Sequence, residues 1–471
     1  MKAGFDIHTI PFDESKWIPV PTPIFDPSIK GVEFKQTQQY PVHPYSPLPS
    51  LMPKFWSPLY MSGQNTLGAF TQGYDVLLTN VVFGMAGYQL TPVTGVPDGS
   101  VISPLDLATY TFLYQNSQWD TNVSLLASGN PVNYRIPLNN GSTLNLYQHM
   151  QAYSLNFGWN NLPSPLTNAS YQTGDQLQLG LNVRNIRHLT PAAANQEAVD
   201  AKIIPDVGRS HSVSLTYKFN SNSRVGYSVS PERGSMTTYG AEVAHPAMAS
   251  ETEYYRLFAD WRSWTPLPWT HHVFAARLMT GVNLGKPQGD FYLGGARSVS
   301  MVGTTDIRVA AEPDDILVPL RGYPFASTGG NTVGLLSAEY RFPLMEFQHG
   351  VGTLPFFAER LSGSIFTDAG TAYTNGWMAF LGRPVDPKAK LYPDLPDLRA
   401  SLGAELRLHF KIANNPLNTP PLATIARMAS PTLNAFNDAA GTFRFGVAQP
   451  VLPLGGQFLP PVVYTEFGTY F

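Results

Sequence analysis

The chain has 471 residues, a formal net charge of −3 and a pI of about 6.4, so its charge does not favour a nucleic-acid partner. Charged residues make up only 13% of the sequence, whereas about 25% is usual in a soluble domain. The absence of cysteine excludes disulfide bonds, thiolate chemistry and cysteine-bound metals. No run of about 18 consecutive apolar residues occurs, so helical membrane spans are excluded.

Residues 1–64 are rich in proline and lack a regular period, as in "PVPTPIFDPSIKGVEF" and "YPVHPYSPLPSLMPKFWSPLY". Proline fixes φ and removes a backbone donor, so we expect an extended tether or the remnant of a preceding domain here. The start, "MKAGFDIHTIPFDESKW", lacks the apolar core of a secretory signal, so an exported protein would be represented by a mature or truncated form. Residues 65–471 are expected to form the main domain.

From residue 66 onward, apolar and polar residues alternate, as at Tyr153, Leu155 and Phe157 in "QAYSLNFGWN" (151–160). Alternation places successive side chains on opposite faces of a strand. The segments are about 9–16 residues long, which matches the 9–11 residues that a tilted strand needs to cross a bilayer. About fifteen candidates are found; because bacterial barrels prefer even numbers, we predict sixteen strands, with one weak strand between residues 100 and 145.

The residues on the polar face of these strands distinguish between two possible folds, a soluble β protein and a membrane barrel. "SLGAELRLHF" (401–410) places Glu405, Arg407 and His409 on one face. A dry soluble core would have to pair all three, and so many strands with a polar face in bulk water would form an unusually large one-sided sheet. A water-filled lumen accommodates these side chains, so we predict an all-β transmembrane antiparallel β-barrel, with a soluble β protein as the alternative.

A long segment between the strand candidates at 271–282 and 331–344 contains "FYLGGARSV" and "ILVPLRGYPF". Together with the strands that follow, "GGNTVGLLSAEYRFPL" and "SGSIFTDAGTAY", it resembles the superfamily of outer-membrane barrels that includes BamA, TamA and FhaC, also called the bacterial surface antigen family. The resemblance covers residues 290–471. "YSPLPSLMPKFWSPL" is similar to the lead-in of relatives whose barrel follows a TolB-like propeller, and it would place the tether in the periplasm.

In that superfamily the sixth extracellular loop folds into the lumen and carries an Arg-Gly-aromatic tip. The resemblance assigns this tip to Leu320, Arg321, Gly322 and Tyr323. A planar guanidinium suits bidentate pairing with carboxylates, and glycine permits a tight turn. Glu339 and Asp368 face the lumen by strand parity and are the expected partners. The tip would act as a brace that stabilises the barrel or as a switch for lateral opening, and the two roles are compatible.

Two further features follow from the resemblance. A longer segment than relatives usually have separates "FYLGG" from "LRGY", which predicts an enlarged, partly external loop. The chain ends on "EFGTYF", which resembles the signal by which outer-membrane barrels are inserted. This signal is assigned to Phe467, Gly468 and Phe471. In the family the last strand pairs with the first, here expected near residues 66–74, and forms a seam that opens toward lipid.

The resemblance implies that the protein inserts or translocates polypeptides at the bacterial cell outer membrane, through the seam and a lock formed by Arg321. The implied partners are outer-membrane lipid, client polypeptides, and periplasmic or lipoprotein accessory subunits. The alternative is a passive channel or a structural surface protein that keeps the fold without insertase activity.

No catalytic motif accompanies these features, because G-x-S-x-G, a phosphate-binding loop and H-E-x-x-H are all absent. His271 and His272 adjoin on a predicted strand and would point to opposite faces, which argues against a shared metal. We therefore expect no enzyme activity, no catalytic residues, no cofactor and no metal.

Overall fold

The protein is seen in a computed structural model that describes residues 46–61, 66–75, 77, 79–90, 104–137, 143–160, 174–190, 206–223, 228–286, 291–295, 316–324, 327–350, 356–376, 392–394, 397–412, 442–454 and 456–467. These residues are mostly β-strand, and sixteen of the strands form one antiparallel sheet. The prediction of an all-β fold with sixteen sheet strands is confirmed. Within the described ranges, no helix is long and apolar enough to cross a membrane.

The strands follow one another in chain order. The first eleven are β1 (Phe55–Met61), β2 (Thr66–Tyr74), β3 (Asn80–Gln89), β4 (Ala108–Asn116), β5 (Thr121–Pro137), β6 (Thr143–Asn160), β7 (Gly174–His188), β8 (Gly208–Asn220), β9 (Gly234–Ala244), β10 (Glu253–Pro266) and β11 (Val273–Lys286). The next eight are β12 (Phe291–Leu293), β13 (Ile316–Val318), β14 (Thr328–Gly330), β15 (Thr332–Gly350), β16 (Phe356–Tyr373), β17 (Leu398–Ile412), β18 (Thr442–Pro450) and β19 (Val462–Phe467). Short 3₁₀ helices lie at Leu48–Leu51, Pro104–Leu107 and Pro246–Met248.

The large sheet has the order β1 to β11 followed by β15 to β19, and every strand pairs with its neighbour. The region between residues 100 and 145, where one weak strand was expected, contains all of β4 and β5 and the first residues of β6. At the N-terminal side the structure differs from the prediction, because β1 pairs along its whole length with the expected first strand, β2. The boundary at residue 65 therefore falls inside a hairpin. β1 contains Pro58, and proline is compatible with a strand at the end of a sheet.

The two ends of the strand order are β1 and β19, and no ladder pairing between them occurs among the described residues. The remainder of the tether, residues 1–45, lies outside those residues. Phe467 is the last residue of β19. Gly468 and Phe471 are not among the described residues, so the insertion signal at the C-terminus stays a prediction.

The sheet has two chemically opposite faces. We call the face that carries Glu339 the inner face and the other the outer face; directly paired residues on neighbouring strands share a face. Buried ionisable side chains lie on the inner face: Arg184, Glu242, Arg256, Arg277, Glu339, Arg341, Asp368, Glu405, Arg407 and Arg444. Large apolar side chains are exposed on the outer face: Leu215, Leu257, Leu278, Leu336, Ile365, Leu402, Leu406 and Phe445. This inverted arrangement is that of a membrane barrel.

A charged side chain on the outer face should therefore cost more free energy the closer it lies to the middle of the bilayer. We expect Leu278→Lys, near the middle of β11, to weaken folding into lipid bilayers by about 2–4 kcal/mol, because an ammonium group at that depth loses its hydration. The matched change Thr265→Lys lies on the same face near the end of β10 and should cost less than about 1 kcal/mol. Urea titration of both variants in phospholipid vesicles measures the difference, and equal costs would contradict a lipid-facing outer surface.

A group of aromatic rings marks one end of the outer face. The His272 ring lies 5.6 Å from Trp269, 5.7 Å from Tyr340 and 6.3 Å from Phe342, measured between ring centroids. Such belts are typical of the membrane interface, where rings with one polar edge are favoured. The prediction that His271 and His272 share a strand is wrong, because both lie in the turn before β11, where His271 adopts a φ of 61°.

The long segment between β11 and β15 contains a small sheet of its own, in which β12 pairs with β13 and β14. Leu293 of β12, Val318 of β13 and Leu320 are fully buried against Leu335 of β15. This apolar cluster holds the segment against the inner face of β11, β15 and β16. It thereby determines where the residues that follow β13 can reach.

Candidate functional site

The predicted tip of the long loop forms a tight turn directly after β13. Leu320 N–H donates to Gly295 O and Gly295 N–H donates to Tyr323 O, both at 3.0 Å, so the turn is closed by backbone hydrogen bonds. Leu320 packs in the apolar cluster described above. The turn thus fixes the direction in which Arg321 leaves the loop.

Arg321 is fully buried and pairs with carboxylates on three different strands. Its Nε and Nη2 donate to the two carboxylate oxygens of Asp368 on β16, each at 2.7 Å. Its Nη1 donates to Glu339 on β15 at 2.6 Å and to Glu405 on β17 at 3.2 Å. The structure therefore brings Arg321 together with both expected partners, Glu339 and Asp368, and adds Glu405.

An aromatic ring completes the pocket of the guanidinium. The Cζ atom of Arg321 lies 3.4 Å from the ring centroid of Phe366, which precedes Asp368 by two positions on the same inner face. A cation held against an aromatic face gains about 2 kcal/mol or more when desolvated. Phe366 thus contributes to the same binding pocket as the carboxylates.

Three more arginines surround these carboxylates. Glu339 also accepts from Arg341 Nε at 2.7 Å and from Arg407 Nη2 at 2.9 Å. Glu405 accepts a second bond from Arg407 and one from Arg444. We call the whole set the ionic cluster, and its members are Arg321, Arg341, Arg407, Arg444, Glu339, Asp368 and Glu405. Four guanidinium groups and three carboxylates are thereby buried in one network.

The ionic cluster extends to the last strand of the sheet. Tyr464 of β19 donates its hydroxyl hydrogen to Glu405 Oε1 at 2.6 Å, and that same oxygen accepts from Arg321. The Tyr464 ring lies over Gly446 of β18, where an added Cβ would come within 2.4 Å of the ring. A side chain at position 446 would therefore displace Tyr464 from the carboxylate.

Gly322 allows the tip to approach the wall closely. Its φ of +89° is a backbone conformation that L side chains rarely adopt. An added Cβ would lie 3.2 Å from the Ala448 Cβ and 3.3 Å from the Ser401 Cβ. Glycine is thus required here both by conformation and by space.

Tyr323 joins the tip to the backbone of two neighbouring segments. Its hydroxyl lies 2.9 Å from Ala400 O on β17 and 2.8 Å from Leu452 O after β18, and it accepts from Ala400 N–H at 3.2 Å. We expect Tyr323→Phe to lower the free energy of unfolding by about 1–3 kcal/mol, because these buried groups lose a partner. Urea unfolding measures the loss. Tyr239→Phe on the exposed outer face should be neutral, and equal effects would mean that the Tyr323 hydroxyl contributes nothing specific.

The energetics of the ionic cluster are asymmetric. An intact buried ion pair contributes little net stability, because desolvation offsets the attraction, whereas removal of one partner typically costs about 3–5 kcal/mol. The docked tip is therefore stable only while all partners are in place. In the part of the chain that the structure describes, no group of His, Asp and Glu could hold a metal ion.

Several members of the site were missed by sequence reasoning. Glu405 and Arg407 were placed on the inner face, but not as partners of Arg321. Arg341, Arg444 and Tyr464 were not singled out at all. Strand parity could have found Arg341, which lies two residues after Glu339 and thus on the same face. The contact with Tyr464 needs the register of three strands, which no local pattern supplies.

Comparison with known proteins gives one family match. The model of the Omp85 superfamily domain matches residues 109–415, well over half of the chain. No curated protein matches the sequence.

Three solved structures are similar to the chain. BamA from Haemophilus ducreyi lacking POTRA domains 1–3 is 15% identical with a TM-score of 0.49, and the match covers 87% of this chain and 69% of that one. CdiB from Escherichia coli is 12% identical with a TM-score of 0.47, and CdiB from Acinetobacter baumannii is 10% identical with a TM-score of 0.45. Each of these two matches covers 85% of this chain, which spans 58% and 55% of the length of the two CdiB chains.

Proposed function

Because the chain belongs to the Omp85 superfamily of outer-membrane protein translocation and assembly barrels, we propose that it inserts or translocates polypeptides at the bacterial outer membrane. The route is a lateral seam at the junction of β1 and β19, and the docked tip locks that seam. Outer-membrane lipid and client polypeptides are its partners, together with periplasmic or lipoprotein accessory subunits.

The observation that carries this proposal is the chain of contacts from the tip to the last strand. Arg321 donates to Glu405, and Glu405 accepts from Tyr464 on β19. Displacement of the tip removes one of the cations that hold Glu405, and it thereby weakens the anchor of Tyr464 on the strand at the seam. Among the described residues β19 pairs with β18 alone, which leaves this contact as one of few constraints on its position.

The same geometry supports a switch in addition to a brace. A brace needs only the pairing of Arg321 with Asp368 and Glu339. The bond from Tyr464 does not contact Arg321 directly, but through their shared acceptor Glu405 it couples the position of β19 to the docking of the tip. A cluster whose members are stable only together has two distinct states, docked and undocked, which is the requirement for a switch.

A folding assay tests the proposal. The purified full chain is reconstituted into liposomes, and the folding of an added outer-membrane barrel is followed by its mobility on unheated detergent gels. We expect faster folding of the client than in liposomes that contain an unrelated barrel. If only solute flux increases, the protein is a passive channel or structural protein that shares the fold.

Tyr464→Phe separates the two roles of the tip. A switch predicts a changed rate of client folding in this variant, because the contact between the tip and β19 is lost. A simple brace predicts an unchanged rate once the variant is folded. Tyr239→Phe, on the exposed outer face, is the matched control.

A further inference from the structure

The charges of the inner face are strongly unbalanced. Eleven basic side chains lie there or point there from the tip: Arg184, Lys218, Arg256, Arg262, Arg277, Arg321, Arg341, Arg360, Arg399, Arg407 and Arg444. Six acidic side chains are described on the same face: Glu242, Asp260, Glu339, Glu346, Asp368 and Glu405. The described interior thus has an excess of five positive charges.

This excess contrasts with the chain as a whole, which has 30 basic and 33 acidic residues and is slightly negative. The interior therefore contains over a third of all basic residues but less than a fifth of the acidic ones. The imbalance is confined to β7–β11 and β15–β18, since β1–β6 contain a single charged residue, Arg135. The basic side chains are therefore concentrated on one part of the inner face, and the described inner side chains of β1–β6 are uncharged.

Part of the basic side is open to solvent. Lys218 on β8 is only partly buried, and the side chain of Arg262 on β10 is 24% exposed. Arg262 and Arg277 both donate to the carboxylate of Asp260. A mobile ion that enters the interior on this side meets a net positive surface.

Enclosure within the barrel increases the effect of this positive charge on mobile ions. Charges lining an enclosed space with low-dielectric walls focus the field and raise the local concentration of counter-ions, by tenfold or more in favourable cases. The Debye length is about 10 Å at 0.1 M salt and about 3 Å at 1 M, so the field spans the interior only at low ionic strength. Rings of Arg and Lys are the usual basis of anion-selective pores.

We propose that the barrel interior is an anion-selective compartment, which admits small anions in preference to cations of similar size. The inference goes beyond polypeptide insertion and does not depend on it, because ion selectivity requires only an enclosed basic interior. The solutes that it favours carry carboxylate, phosphate or halide charge, and chloride is the simplest probe.

Planar-bilayer recordings of the full chain in a KCl gradient test this proposal. At about 0.1 M KCl we expect a reversal potential displaced toward the chloride equilibrium potential, with chloride at least about threefold more permeant than potassium. The preference should fall toward unity near 1 M KCl, because the charges are then screened. A permeability ratio at or below one in low salt would overturn the proposal. So would the absence of any conductance in both the wild type and Arg321→Ala.

A matched pair of variants assigns the selectivity to the interior. Lys218→Glu and Arg209→Glu make the same change of charge on β8, but Lys218 lies on the inner face whereas Arg209 is exposed at the end of the strand. Only Lys218→Glu should reduce the preference for chloride, and equal effects would contradict an interior origin. If Lys218→Glu does not fold, Arg262→Gln on the inner face and Arg209→Gln at the exposed end of β8 provide a second matched pair.

Discussion

Arg321→Ala should lower the free energy of unfolding by about 3–5 kcal/mol, the largest loss that we expect from a single change in this protein. The substitution removes four side-chain hydrogen bonds and leaves Asp368 without the bidentate partner that neutralises it. A fully buried carboxylate without a compensating cation is strongly unfavourable. Urea unfolding followed by tryptophan fluorescence, together with mobility on unheated gels, measures the loss.

Two controls define the cause of that loss. Arg321→Lys keeps the charge but cannot form the two parallel bonds to Asp368, so it should recover only part of the stability. Arg209→Ala removes an exposed arginine and should change the stability by less than about 0.5 kcal/mol. If Arg321→Ala unfolds at the same urea concentration as Arg209→Ala, the tip is not docked in the folded protein.

Glu405→Gln should be the second most damaging change, with a loss of about 2–4 kcal/mol. The amide has nearly the same shape as the carboxylate, so the effect reports the charge. Glu405 receives bonds from Arg321, Arg407, Arg444 and Tyr464, and its neutralisation leaves four buried guanidinium groups with two carboxylates. Urea unfolding again provides the measurement.

A double-mutant cycle tests whether Glu405 couples the tip to β19. Tyr464→Phe alone should cost about 1.5–3 kcal/mol, since it removes a hydrogen bond to a charged group. In the Glu405→Gln background the same change should cost much less, because the charged acceptor is already absent. Additive losses would show that Tyr464 stabilises the protein by packing over Gly446 alone.

The fold could be predicted because a strand with lipid on one face and water on the other must alternate between apolar and polar residues along its length. The same rule placed Glu339, Asp368, Glu405 and Arg407 on one face, since parity within a strand needs no knowledge of its neighbours. β1 was missed because its seven residues include Pro58 and follow a proline-rich stretch that lacks a period. β12–β14 have three residues each, which is too short for alternation to be detected.

The ionic cluster could be predicted only in part, for a physical reason. The pairing of Arg321 with Glu339 and Asp368 came from the resemblance to a known superfamily combined with parity. The contacts of Glu405 with Arg444 and Tyr464 depend on the register between β17, β18 and β19. That register is determined by packing across strands, so it cannot be predicted from any local stretch of the sequence.

Every carboxylate that holds Arg321 comes later in the chain, and Glu405 follows it by 84 residues. A polypeptide that is synthesised and exported N-terminus first therefore delivers the cation well before its counter-charges. The tip can dock only after the strand that carries Glu405 has joined the sheet, so docking is a late event in folding, and chains that end before Glu405 cannot complete the ionic cluster. Fragments that end before Glu405 should therefore leave the tip undocked and its loop sensitive to protease.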